Sequence, residues 1–177
     1  MSHGEAWHFG RLGRLIERAD KTSRILDVKY FILLPSVSDV GTPLDEIQWT
    51  AVLGSASALA EYRQKYGRVS PESAIEFLIL DRDFPRSIHH CLTQADVSLH
   101  EISGEPLGCF CNEPERRMGQ LRSELDFAQM SDIVSTGLHE FLDNFQCKLN
   151  NVGNAIHDTF FAIRPVASRR LAQVMSQ

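Results

Sequence analysis

At 177 residues and 43% hydrophobic content, the chain suits one domain with a real core. A formal net charge of -5 excludes a global field drawing it to nucleic acid or to an anionic membrane, and leaves only local basic clusters. No run approaches the roughly 20 apolar residues that span a bilayer, the opening Met-Ser-His-Gly-Glu lacks the order of a secretory signal, and four cysteines make no disulfide scaffold in a chain of this size, so a reduced cytoplasmic protein is expected.

A helical period opens the chain, from Glu5 to about Leu34. Leu12, Leu15, Ile16, Ala19, Leu26, Leu33 and Leu34 fall on one side. Arg11, Arg14, Arg18 and Lys21 fall on the other, with Glu17 among them. Leu34-Pro35 ends the helix, since the residue before proline avoids helical angles. Thr42-Pro43, followed by Asp45 and Glu46, starts a second helix that runs to about Tyr66 and stops at Gly67. Leu44, Ile47, Ala51, Val52, Ala58, Leu59 and Tyr62 are its expected inner face.

Ser70-Pro71-Glu72 repeats the start signal for a short third helix, with Ala74, Phe77 and Leu78 inward. Phe84-Pro85 opens a fourth, whose stripe of Ile88, Cys91, Leu92, Ala95, Leu99 and Ile102 ends before Gly104. Residues 105–112 contain Pro106 and Gly108 and read as a loop. Pro114 sits in the first turn of a fifth helix that continues to about Ala128. Ser131-Asp132 starts a sixth, with a stripe from Ile133 and Val134 to Phe160. If unbroken to Ile163 it is about 48 Å long. Gly137 and Gly153 mark close packing or a bend within it, and Pro165 ends it. No strand is expected. The fold class is all-α, a bundle of about six mostly antiparallel helices, with one domain over 1–165 and a polar tail over 166–177.

The segments Gly4-Glu5-Ala6-Trp7-His8-Phe9, Leu12 to Val28 around Glu17-Arg18, Gln48-Trp49, Phe77 to Arg82, Phe84-Pro85 and Gly137 to Leu142 together resemble the bacterial alpha-E family. That family is an all-helical domain named for a Glu-Arg pair, here Glu17-Arg18. Full members look like two related halves, each opening with a Glu-Arg helix, and this chain resembles the second half only, as a natural short form or a fragment. The resemblance implies self-association where the other half would pack. It also implies partners: an ATP-grasp ligase-like protein and a transglutaminase-like protein, a set suited to making, attaching or removing a peptide tag.

The residues themselves offer few complete constellations. Arg11, Arg14 and Arg18 have the chemistry to hold a carboxylate or phosphate by charge-assisted bonds, with Glu17 orienting a guanidinium and Lys21 beside it. The alternative is a lattice of ion pairs tying the first helix to its neighbours. His139-Glu140-x-x-Asp143 lacks the second histidine of a zinc helix, and no metal is expected there. His139 and Glu140 read better as polar contacts between helices. Cys109-Phe110-Cys111 is too tightly spaced for a zinc knuckle. Cys91 and Cys147 occupy core-like positions, and His89 and His90 point to different faces. No nucleophile elbow, phosphate-cradling glycine loop or dinucleotide fingerprint is present, so no cofactor is expected. Arg116-Arg117 and Arg169-Arg170 are small basic spots with no interleaved aromatics, and nucleic acid is not expected as a partner.

The leading expectation is a non-catalytic binding or partner module in an ATP-grasp-linked amide-forming system, with Arg11, Arg14, Glu17, Arg18 and Lys21 as the ligand-binding set. One alternative is a peptide-bond hydrolase or acyl transferase with Glu17 as general base and arginines stabilising an oxyanion. Another is a structural assembly protein.

Overall fold

The computed structural model describes residues 4–32 and 42–162. Among them the chain forms eight α-helices and no strand: α1 (Glu5–Ile32), α2 (Pro43–Ser55), α3 (Leu59–Tyr66), α4 (Pro71–Leu80), α5 (Ile88–Ser103), α6 (Glu113–Phe127), α7 (Met130–Thr136) and α8 (Leu138–Ile156), the last prolonged by a π turn over His157–Phe161. The starts are chemical. Thr42, Ser70, Ser87 and Asn112 each accept a hydrogen bond from the backbone N–H three residues on, at 3.4, 3.3, 3.1 and 3.0 Å. Each cap satisfies a donor that the first turn of a helix leaves without a partner.

Cross-helix contacts fix the directions of the long helices. Arg11 of α1 reaches Ser98 on α5, while Thr22 reaches the carbonyl of Arg86 at the start of α5, so the two run antiparallel. Asp27 meets His139 and Phe9 meets Phe160, so α1 and α8 are antiparallel too. Asp96 with Arg122, and His89 with Asp126, set α6 antiparallel to α5. With α6 also packed along α8, the four long helices close a ring in which every neighbour is reversed. Leu12, Leu15, Ala19 and Leu26 of α1 meet Leu92, Ala95 and Leu99 of α5, Leu121 and Leu125 of α6, and Leu142, Phe145, Leu149 and Val152 of α8 in one continuous core. Helices α2, α3 and α4 pack at the end where α1 finishes and α5 begins, around a cluster of Tyr62, Tyr66, Phe77 and Phe84.

The all-α bundle is the expected architecture, and the helix count rises because two of the expected helices are each broken. The second breaks into α2 and α3 at Ala56–Ala58, where Ser57 takes a left-handed φ of +52°. The sixth breaks at Gly137, with φ +95°, where an added Cβ would stand 2.3 Å from Glu140 Oε2. The positive φ is what calls for glycine there, since the Glu140 carboxylate is the far end of an exposed side chain and can move aside. Phe84-Pro85 precedes the fourth expected helix rather than opening it, because Ser87 is the cap.

Some inner-face assignments also change. Asp45 turns inward to meet Lys29 at 3.0 Å, and that roll buries Trp49, Val52 and Leu53 while Leu44, Ile47 and Ala51 face out. Val134 and Cys147 are exposed, since Ile133 and Phe145 hold the inward positions beside them. Leu33, Leu34, Pro35, Gly41, Pro165 and the tail over 166–177 lie outside the described residues.

A buried polar cluster clamps α5 to α6 and anchors the loop between them. Arg122 donates to Asp96 Oδ2 at 2.8 Å, and Asp96 is 1% exposed. His100 has a carbonyl at each ring nitrogen, Asp96 O at 2.9 Å from Nδ1 and Cys109 O at 3.0 Å from Nε2, with Asp96 Oδ1 3.3 Å away. Both nitrogens donate only when the ring is protonated. Burial works to lower the His100 pKa, but these oxygens together outweigh it and hold the group above its ordinary value. Glu115 completes the cluster by accepting from the Cys111 N–H at 2.8 Å and from Asn112 at 2.7 Å.

Candidate functional site

Positions 14, 17, 18, 21, 22 and 25 of α1 fall on one stripe, because residues three, four and seven apart in a helix share a face. Two pieces of chain flank that stripe. One is the α2–α3 turn, with Ser55 and Ala56. The other is the 81–87 connection, with Arg86. Between them lies an open cleft of about 360 Å³, into which four cations (Arg14, Arg18, Lys21 and Arg86) and one carboxylate (Glu17) converge.

The flanks are tied to α1 by neutral oxygens. Arg18 Nη1 donates to Pro85 O at 3.1 Å, and the Thr22 hydroxyl donates to Arg86 O at 2.9 Å. Arg86 Nη1 in turn reaches Ala56 O at 3.4 Å and Ser57 Oγ at 3.0 Å, joining the two flanks. The left-handed Ser57 backbone therefore sits at the rim, where backbone strain coincides with a held cation.

Asp81 shapes the connection that carries Arg86. Its carboxylate accepts from the backbone N–H groups of Asp83 at 2.9 Å and Phe84 at 2.7 Å, and from Lys65 at 2.5 Å, while its carbonyl accepts from the Ser87 hydroxyl. Burial alone would raise the Asp81 pKa. The Lys65 bond and the two N–H groups outweigh burial and keep the carboxyl below its ordinary range.

Four of the five residues expected to bind a ligand line the cleft: Arg14, Glu17, Arg18 and Lys21. Arg11 does not. Its guanidinium lies 5.5 Å from the centre of the Trp7 ring and donates to Gln94 and Ser98 on α5. Glu17 pairs with Lys21 at 2.6 Å and its side chain is 61% exposed. The burial on which a general-base role would rest is thus missing at Glu17. Arg14 has no hydrogen-bond or ion-pair partner among the described residues. Cys91 is fully buried, with Sγ 3.5 Å from Pro85 O. Burial pushes its thiol up to about 11, against the pull of Arg18 and Arg86, which makes it a poor nucleophile.

Arg86 was not legible as a site residue, because it follows Pro85 in a connection and lies on no helical stripe. Asp81 carried a signal, an aspartate three residues before Phe84 in a Pro-containing turn, where the side chain commonly satisfies the following N–H groups. Other candidates resolve into structure. His139 pairs with Asp27 at 2.8 Å across the α1–α8 contact, as expected of a polar link between helices. His89 is buried against Asp126 at 2.9 Å, and the His90 ring meets Arg82 O at 2.9 Å. Among the described residues, no three His, Cys, Asp or Glu side chains gather as a metal site, and no helix is long and apolar enough to cross a membrane.

The model of the Alpha-E family, described as a predicted alpha-helical domain with a conserved ER motif, matches residues 1–161. Comparison with curated proteins and with solved structures finds no match.

Proposed function

This chain belongs to the Alpha-E family, and from that premise we propose that it is a non-catalytic binding module whose α1 cleft holds an anionic group of a partner or carrier in an ATP-grasp-linked, amide-bond-forming system. One observation carries the reading. Arg14 and Arg18 line an open cleft and neither is neutralised by a carboxylate among the described residues. A structural ion-pair lattice would have set a carboxylate against each arginine, whereas the one carboxylate lining the cleft, Glu17, pairs with Lys21. Glu17 and Lys21 neutralise each other at the rim and orient the cleft without cancelling its excess positive charge.

The partner is the ATP-grasp ligase-like protein, with a transglutaminase-like protein in the same system; the resemblance to alpha-E proteins supplies this context. The module presents the anionic group, and the ligase supplies the acyl activation. The test is size-exclusion chromatography of the chain with an ATP-grasp ligase-like protein from the same organism. The wild type is expected to co-elute. The Arg14→Glu/Arg18→Glu double variant, which retains the bundle core, is expected to elute apart. A wild type that does not associate, or a double variant that associates as tightly, overturns the proposal.

A further inference from the structure

Most arginines of the described chain stand opposite a carboxylate. Arg24, Arg68, Arg82, Arg116, Arg117 and Arg122 each lie within 4.0 Å of an Asp or Glu oxygen. Of those that do not, Arg11 is engaged with Trp7, Gln94 and Ser98, and Arg63 stands exposed on α3. The other three are Arg14, Arg18 and Arg86, and all three line the same cleft. In a chain of net charge -5, with acidic groups available to pair, this concentration of uncompensated guanidiniums is local and specific.

Their geometry selects the ligand. Arg18 and Arg86 are held by carbonyl and hydroxyl oxygens, so their direction is set while their charge is left whole. Each uses Nη1 for that contact, which leaves its remaining N–H groups for a planar fork. A single carboxylate would cancel one of three charges. A phosphate monoester carries about -1.5 to -2 near neutral pH and offers three acceptor oxygens, which matches the set more closely. The hydroxyl protons of Thr22 and Ser55 are donated to Arg86 O and Ala51 O, both at 2.9 Å. Those hydroxyls, with Glu17, present lone pairs to the cleft and so suit a ligand that also bears donors.

We infer that the cleft recognises the phosphoryl group of a hydroxylated small molecule, with Arg14, Arg18 and Arg86 as its three guanidiniums. The inference rests on the anion-binding reading above and adds the ligand class and Arg86.

The experiment is isothermal titration of the full chain with three probes: inorganic phosphate, glycerol phosphate and glutarate. Glycerol phosphate is expected to bind best, inorganic phosphate next and glutarate least. Arg14→Ala has no contact to lose, and Arg86→Ala removes the bridge to Ser57; each is expected to weaken glycerol phosphate about tenfold or more, the scale of one lost charge-assisted bond. Ser57→Ala keeps all three charges and is expected to weaken it less than either. Glutarate binding as tightly as glycerol phosphate overturns the phosphoryl assignment and leaves an anion cleft standing. Binding of glycerol phosphate unchanged by Arg14→Ala overturns the assignment of the site. An absence of binding by all three probes overturns both readings.

Discussion

Replacing Arg122 by Met tests whether the polar clamp between α5 and α6 is a structural element or a bystander. Arg122 Nη1 is the hydrogen-bond donor to Asp96 Oδ2, at 2.8 Å, and its Nε lies 3.6 Å from Asp126 Oδ2. Asp96 is 1% exposed, and its other oxygen has no hydrogen bond, only the His100 ring at 3.3 Å. The variant therefore strands a buried carboxylate. Breaking a buried pair from one side costs about 3–5 kcal/mol. The Arg122 side chain is 28% exposed, and burial already raises the Asp96 pKa and so eases its protonation once the arginine is gone, so the low end of that range applies, about 3 kcal/mol. For a domain of this size that is a fall in Tm of about 6–12 °C. Thermal and urea unfolding followed by circular dichroism would read it. The double variant Arg122→Met/Asp96→Asn removes the stranded charge and is expected to be more stable than Arg122→Met alone. A single variant within about 0.5 kcal/mol of wild type, or a double variant whose loss is the sum of the two single losses, refutes the argument.

Three further outcomes are expected. The raised pKa of His100, faced by Asp96, Glu115 and Arg122, means that protonation favours the folded state; that stabilisation is complete below the ordinary imidazole value of 6.5 and is lost as pH rises through the folded value, so urea midpoints should fall over that rise in wild type and less in His100→Gln. Equal pH dependence in the two proteins would remove the claim. Tyr62→Phe should cost about 1–2 kcal/mol in urea unfolding, because the fully buried hydroxyl donates to Arg68 O at 3.1 Å and accepts from the Ser70 N–H at 3.2 Å, leaving both backbone groups without it. Ser57→Gly should relieve the left-handed backbone and be about 0.5–1 kcal/mol more stable than Ser57→Ala, which loses the same hydroxyl, while both weaken glycerol phosphate binding through loss of the Arg86 tether; a glycine variant no more stable than the alanine one would show that φ +52° carries no strain.

The fold was legible where one local rule decided it. The apolar stripe of α1 as far as Leu26 and the caps at Thr42 and Ser70 need only neighbours in sequence, and the structure places them as those rules require. Misplaced features depend on partners far along the chain. Nothing near Leu44 announces that Asp45 will turn inward to Lys29, sixteen residues away, and roll the whole helix with it. The break at Ser57 is similar. The apolar period carries Ala51 to Tyr62 as one helix, and the structure breaks it at a left-handed Ser57 with Ala58 and Tyr62 buried beyond the break.

The cleft shows the same division one level higher. A helical wheel places Arg14, Glu17, Arg18 and Lys21 on one face, and the structure keeps that group together. The wheel carries no information on whether acidic groups elsewhere will neutralise the face, and that question separates a lattice from a receptor. The answer lies in the 81–87 connection. Asp81 folds that connection by capping its own N–H groups and binding Lys65, so its charge is engaged away from the α1 arginines. Pro85 and Arg86 then meet α1 with backbone carbonyls. A carbonyl fixes a guanidinium in place without cancelling its charge. The connection thus orients Arg18 and adds Arg86, leaving the positive charge of the cleft for a ligand to balance. Changing which oxygen meets the arginine tests that logic. Pro85→Asp puts a carboxylate beside Arg18 in an exposed position, where stability should shift by less than about 0.5 kcal/mol. Anion affinity should nonetheless fall about tenfold, since one of three charges is then neutralised internally. Titration with glycerol phosphate at low salt would measure it, and undiminished affinity would show that charge balance does not govern this cleft.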